Sequence, residues 1–437
     1  MKQAKKIAFF PEAAYGPALN SIGIAQAVQK LGHEAIFLSD PGFVHLYQEY
    51  GFDAYPVNLS APMPAEEMAT FWEDFINAQI PHFIKSPFDQ IDNYVKDCWA
   101  AIIDSAKFAQ RDLPGLLDQL RPDLICVDNV ILFPAIKQYS AQHGVPWVRI
   151  ISCSENEIED PAIPPHLSGC ASDDRDGHAR YRERFNQVIA PLHHDFNQFL
   201  TEHGVAPYPL AQFFEASPYL NLLLYPEAVK FERAHPLQLP QFAYLEGCVR
   251  QEKSYVVPQF ALHADAPLIY VSFGSLGAGD VALLKRLIAA LGNMPYRVLV
   301  NVGGYLDQYT DLPANVIAAS WFPQPSLIPQ VDLVIHHGGN NSFTECLFFG
   351  KPAIIMPFVW DGHDNATRVE ETGYGYQLHR YDWSVSALRT RIELCLNNTI
   401  MHGKLQDISR YMQAHDGAAH AATLLDDLLR RNGRRYV

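Results

Sequence analysis

The stretch "VIHHGGNNSFTECLFFGKP", residues 334–352, gathers several groups able to do chemistry. His336 and His337 are followed by Gly338, Gly339, Asn340, Asn341 and Ser342, and then by an apolar segment that holds Glu345. A histidine pair suits three tasks: holding a metal, moving a proton, or donating to an anion. The local pattern separates them. "DLVIHHGG" reads as a buried parallel strand and "SFTECLFFG" as the start of a helix, so the glycines occupy a strand-to-helix turn. Such a turn aims backbone N–H groups and the positive end of the helix dipole at whatever lies ahead, which makes it an anion site. Gly338 and Gly339 permit close backbone approach, and Asn341 and Ser342 add side-chain donors. Adjacent strand residues point to opposite faces and no cysteine or carboxylate completes a ligand set, so no metal is expected here. Only His337 is expected to face a ligand, with His336 packed behind it. Within the helix, Glu345 is suited to accept two hydroxyls, as a ribose presents. Ser342 and Glu345 equally suit a capping box on a helix that binds nothing.

The elements that must position this turn alternate along the chain. "KIAFF", the helix "ALNSIGIAQAVQKLG" and "HEAIFLS" open it, and "PDLICVD", "PAIKQYSAQHG" and "PWVRIIS" continue the pattern. A second series runs through "PLIYVSFGS", "DVALLKRLIAALG", "RVLVNVG", "NVIAASW", "VDLVIHHGG" and "PAIIMPF", and two helices are expected to finish the chain. Strand–helix alternation predicts an α/β fold with parallel sheets. At 437 residues the chain exceeds what one hydrophobic core supports. Proline-rich, polar sequence before residue 265 marks a linker at 241–264, between an N-terminal domain at 1–240 and a C-terminal domain at 265–415. The last segment, 416–437, is expected to pack back on the N-terminal domain. Two doubly wound, Rossmann-like domains facing each other would bind a ligand between the carboxyl ends of their strands. The irregular stretch from Ser154 to Pro218 is long enough to suggest a functional loop, with His166 at the tip of "IPPHLSGC".

Bulk properties exclude several classes. Hydrophobic content of 48% and charged content of 19% describe a folded globular chain. A net charge of −15 argues against nucleic acid as a partner. The tail arginines Arg430, Arg431, Arg434 and Arg435 read as a solvated helix end. Seven scattered cysteines without a CxxC spacing predict reduced thiols in the cytoplasm, with neither zinc nor disulfides. "IAFF" is too short for a signal-peptide core and runs into Pro11 and Glu12, and no apolar run is long enough to insert in a membrane. A monomer or homodimer is expected.

Residues 312–375, "LPANVIAASWFPQPSLIPQVDLVIHHGGNNSFTECLFFGKPAIIMPFVWDGHDNATRVEETGYG", resemble the donor-binding signature of glycosyltransferase family 1. The ordered elements are W-x-P-Q, H-x-G-x-N-S-x-x-E, G-x-P, and then Asp and Asn-Ala. The resemblance is strongest over about residues 265–380 and looser in the N-terminal domain. It implies a GT-B fold and an inverting, metal-independent transfer of a sugar, such as a hexose, from a UDP- or dTDP-sugar. The acceptor would be a small molecule, such as an antibiotic or another secondary metabolite, and no cofactor beyond the donor is implied. Carried over by position, Trp321 resembles the residue that stacks on the donor's base, with Gln324 beside it. Ser275, His337, Gly339, Asn341 and Ser342 resemble the diphosphate binders, and Glu345 the ribose binder. Asp361 falls where family members hold the sugar's hydroxyls. The family commonly has Asp-Gln there, whereas this chain has Asp361-Gly362; Gly362 and His363 are expected beside the donor sugar, with His363 or Asp364 replacing the glutamine's contacts. Trp360 reads equally as a wall of the sugar pocket or as core.

The family's general base, usually a histidine after the first strand, is missing. The loop is "PEAAYGPALNS", and Pro17 occupies the base position. Asp128, matching the family's supporting acid, and Glu12, at the end of the first strand, are the candidate bases; capping for Asp128 and solvation for Glu12 are the plain alternatives. A third possibility is an acceptor acidic enough to need little help. "FWEDFINAQIPHF" supplies Phe71, Trp72 and His82 as candidate acceptor contacts, although such a stripe also suits a core. Pro17 leaves open a catalytically silent sugar-nucleotide-binding protein, and the two-domain shape a sugar-nucleotide epimerase.

Overall fold

The computed structural model describes residues 4–62, 64–128, 133–262 and 265–433, and the side chains of these apart from 65–73 and 432–433. The chain forms two wholly parallel sheets. The first has seven strands in the order β3-β2-β1-β4-β5-β6-β7: β1 Lys6–Phe10, β2 Glu34–Ser39, β3 Asp53–Pro56, β4 Leu124–Val127, β5 Trp147–Ile151, β6 Leu220–Leu223 and β7 Phe242–Tyr244. The second has six in the order β10-β9-β8-β11-β12-β13: β8 Leu268–Ser272, β9 Arg297–Asn301, β10 Val316–Ala319, β11 Leu333–His336, β12 Ala353–Ile355 and β13 Gly375–Gln377. The middles of β1 and β8 are apolar because helices cover both faces; Ile7, Ala8, Phe9, Ile269, Tyr270 and Val271 have no exposed surface.

The strand order reverses between β1 and β4 in one sheet and between β8 and β11 in the other. A crevice opens at such a switch point, where successive connections leave on opposite faces. The segments that follow these four strands hold Glu12, Asp128, Ser275 and His337. Strand pairing therefore brings four distant parts of the sequence to facing edges.

Seven helices matter below: α1 Tyr15–Lys30, α2 Ala65–Phe83, α3 Lys96–Ala109, α4 Arg175–Glu202, α5 Asn340–Phe348, α6 Gly362–Thr372 and α7 Gly417–Gly433. Through Ala421, Ala422, Leu425 and Leu429, α7 joins the core formed by Ile7, Phe9, Ile22 and Val28 of the first sheet and α1. Two details differ from the sequence pattern. Strand β7 lies inside the stretch read as linker, so the first sheet reaches Tyr244; and three helices follow β13, at Val385–Asn397, Thr399–Ala414 and α7. Arg430 pairs with Asp426, whereas Arg434 and Arg435 lie outside the described residues. No described helix is long and apolar enough to cross a membrane.

The two domains are clasped at the cleft. The Asn340 amide donates to the Ser152 and Leu224 carbonyls at 2.9 and 2.7 Å, and Asn341 Nδ2 donates to the Gly16 carbonyl at 3.0 Å. Buried Asp364 accepts from the N–H groups of Leu167 at 2.7 Å and Gly169 at 2.8 Å.

Candidate active site

Between the sheets lies a cleft of about 910 Å³. Its C-terminal wall begins with the turn after β11. His337 sits there because two glycines make room: a Cβ on Gly339 would lie 2.5 Å from His337 Nε2, and one on Gly274 would lie 3.0 Å from His337 Cε1. Burial, helped by the Arg380 guanidinium, pushes the His337 imidazole down to about 4, so at neutral pH it offers an N–H without a charge. His336 has no exposed surface, and its Nδ1 accepts from the Gly338 N–H at 3.1 Å. The pair thus divides as the strand's alternation requires.

Ser275, Trp321, Gln324, His337, Gly339, Asn341, Ser342, Glu345 and Asp361 all line the cleft. Trp321, 48% exposed at its mouth, offers a flat face 6.2 Å from the Tyr15 ring across the domain gap. Asp361 accepts from the Asn340 N–H at 3.1 Å. Burial and then the nearby Asp364 carboxylate raise it to about 7. Trp360 lines the cleft with φ of 56°, a left-handed conformation that a bulky residue holds only when its surroundings enforce it.

Gly362 and His363, expected at the sugar, are not among the lining residues. Gly362 packs under the turn, where an added Cβ would meet the His337 carbonyl at 2.6 Å. His363 Nε2 instead faces Gln90 Oε1 at 3.2 Å in the N-terminal domain. Asp364 is likewise occupied in the domain clasp. The start of α6 therefore serves docking in this chain. His166 joins the same interface, 3.6 Å from Asp364, rather than standing at a free loop tip.

Across the gap, Glu12 and Pro17 line the cleft from the loop after β1. Burial, followed by repulsion from Asp128 and Asp361, raises the Glu12 carboxyl to about 8. Asp128 is 0% exposed and is not among the lining residues; its Oδ1 accepts from Ser152 Oγ at 2.6 Å, and Ser152 is what reaches the cleft. Asp128 thus acts on the cleft through its field on Glu12.

His82 is also absent from the lining; its Nδ1 faces Lys85 Nζ at 3.2 Å. The side chains of Phe71 and Trp72 lie outside the described residues. From α2 it is Phe75 and Gln79 that reach the cleft, opposite a wall of Cys98, Ala101, Ile102 and Ser105 on α3. In sequence α3 reads as a core helix, because its other face, with Trp99, Ile103 and Ala106, is buried. Arg250, which carries no local sequence signal, lines the cleft from the connecting segment. The Arg250 guanidinium bonds Glu252 at 2.7 Å and Glu345 at 3.2 Å, and it is the only arginine or lysine among the described lining residues. Among the described residues no group of three or more His, Cys, Asp or Glu is arranged to hold a metal ion.

Residues 285–425 match the family model of the erythromycin biosynthesis protein CIII-like C-terminal domain. The NDP-glycosyltransferase YjiC of Bacillus subtilis (strain 168) is 20% identical over 425 residues, covering 96% of each chain. The crystal structure of the kitacinnamycin glycotransferase superposes with a TM-score of 0.72 at 20% identity, over 98% of this chain and all of that one. The glycosyltransferase VinC, solved in complex with dTDP, gives a TM-score of 0.67 at 18% identity, over 98% of this chain and 100% of that one. The architecture is GT-B.

Proposed function

We propose that this glycosyltransferase, whose residues 285–425 match the EryCIII-like C-terminal domain within a GT-B fold, moves a hexose-type sugar from a UDP- or dTDP-sugar to a small-molecule acceptor, with inversion and without a metal. One observation carries the reading: nine of the expected donor residues, from Ser275 to Asp361, and a cleft-facing carboxyl from the opposite domain meet across a single cleft. The N-terminus of α5, with Gly339, Asn341, Ser342 and neutral His337, receives the diphosphate. Trp321 stacks on the base, Glu345 takes the ribose and Asp361 the sugar hydroxyls.

Glu12 is the general base. The acceptor oxygen attacks the anomeric carbon as its proton passes to the Glu12 carboxylate. The bond from that carbon to the diphosphate breaks, and its electron pair leaves on the diphosphate, against the N–H groups of the turn. A base of raised pKa is a strong one once ionised, and such proton transfer contributes about 10²–10⁴-fold. Asp128 supports the role from behind by its charge. The acceptor lies against α3, whose lining is apolar between Asp97 and Ser105.

The test is turnover. The protein is incubated with UDP-glucose or dTDP-glucose and a panel of phenolic and macrolide acceptors in EDTA, and products are read by mass spectrometry and anomeric NMR. An inverted glycoside is expected. Failure to bind either nucleotide in calorimetry, together with no nucleotide release from any pairing, would sink the proposal.

A further inference from the structure

Arg250 belongs to the segment joining the domains, yet it is anchored on the N-terminal one. Gly23 of α1 lies so close that an added Cβ would meet the Cys248 carbonyl oxygen at 2.4 Å and the Arg250 nitrogen at 3.3 Å. The neighbouring Gln251 N–H donates to Gln26 Oε1 of α1 at 2.9 Å, and the Tyr50 hydroxyl donates to Glu252 at 2.6 Å. From this footing the guanidinium, 3% exposed, crosses to Glu345 Oε1 on α5 at 3.2 Å. Gln324 Nε2 donates to the other oxygen, Oε2, at 2.6 Å.

We propose that Arg250 is a positioning residue for the nucleoside end of the cleft: it fixes Glu345 so that the carboxylate's remaining lone pairs accept the pentose hydroxyl of the donor. The inference rests on reading the cleft as a nucleotide-sugar site. A carboxylate has about four lone-pair directions, of which Arg250 and Gln324 use one on each oxygen. What remains is an acceptor-only surface, suited to a hydroxyl donor, provided the group stays ionised.

Ionisation is what burial opposes. Burial pushes Glu345 up, Glu252 adds to this, and Arg250 and Gln324 hold it down. The other titratable groups facing it are the Tyr270 phenol on β8 and the Cys346 thiol beside it on α5, neither of which supplies a positive charge. Without Arg250, burial and Glu252 are opposed by Gln324 alone, so Glu345 holds a proton more readily and its acceptor capacity falls until pH rises far enough to remove it.

The experiment measures the affinity of dTDP against 2′,3′-dideoxythymidine diphosphate, and of UDP against 3′-deoxyuridine diphosphate, from pH 6 to 9. A hydrogen bond to a charged acceptor predicts a preference of about ten-fold or more for the 3′-hydroxyl form in the native protein, constant across that range. In Arg250→Gln and Arg250→Met the preference is expected to fall below about three-fold at pH 6 and to return by pH 9. Arg250→Lys, which keeps the charge, is expected to hold it. A merely structural role would weaken all nucleotides alike and leave the ratio unmoved. Neutral variants that keep the full preference at pH 6 would overturn the proposal. Should neither neutral variant fold, a native preference that fades from pH 9 to pH 6 overturns it alone, and a constant one supports it. If the native protein binds none of the four nucleotides, the nucleotide-sugar reading itself has failed.

Discussion

Glu12→Gln is predicted to make the enzyme slower and more stable together. The amide keeps the shape of the protonated carboxyl but has no proton to exchange. The folded protein holds Glu12 at about 8, against 4.5 when free. Between those values the folded state binds a proton that the unfolded state has released, so stability falls as pH rises through the window. At about 1.36 kcal/mol per pH unit, that interval corresponds to about 5 kcal/mol. The carboxyl borders an open cleft, and screening by the solvent there reduces this to about 2–4 kcal/mol. Relative to the native protein, Glu12→Gln should therefore gain nothing at pH 4.5 and its full stabilisation above pH 8, read as a rise in Tm of several degrees by scanning calorimetry. Turnover of the same variant should drop about 10²–10⁴-fold, the contribution of a general base, with nucleotide affinity unchanged. A Glu12→Gln variant that melts lower than the native protein at pH 8.5, or keeps more than a tenth of its rate, would refute these roles for Glu12.

Other consequences follow from the same geometry. The native rate is expected to climb with pH, close to ten-fold per unit on the acid side, and to level off above about 8 as Glu12 ionises; a flat profile from pH 6 to 9 speaks against Glu12 as base. Gly339→Ala drives a methyl to 2.5 Å from His337 Nε2, so nucleotide affinity should weaken by about ten-fold or more in calorimetry with little change in Tm, and unchanged binding would show that the ring's position is unimportant. Asp364→Ala strands two backbone N–H groups at the domain clasp; a Tm loss equivalent to about 2–4 kcal/mol is expected, with nucleotide affinity reduced little.

Much of this molecule was legible before its shape was known, for reasons that differ by element. Strands β1, β8 and β11 are buried on both faces, so each is an apolar run with a polar residue only at one end, and the turn after β11 announces itself by paired glycines. Strands β6, β7 and β13 are only four, three and three residues long and sit in irregular sequence, too short for any periodicity to emerge. Side chains at element ends were the hardest to place. Asp128 directly follows a central strand as a cleft residue should, yet Ser152, just past the end of the neighbouring strand, covers it. His363 follows Asp361 by two positions, but the first turn of α6 swings it to Gln90. Arg250 meets Glu345 across 95 positions, a pairing that no local pattern announces.

The central claim, that the turn after β11 is a diphosphate cradle, is tested most directly by a crystal structure with UDP or dTDP bound. The diphosphate oxygens are expected within hydrogen-bonding distance of the N–H groups at Gly339–Ser342 and the base stacked on Trp321, with Glu12 facing the sugar side. A nucleotide bound elsewhere, or the diphosphate turned away from the start of α5, would contradict it.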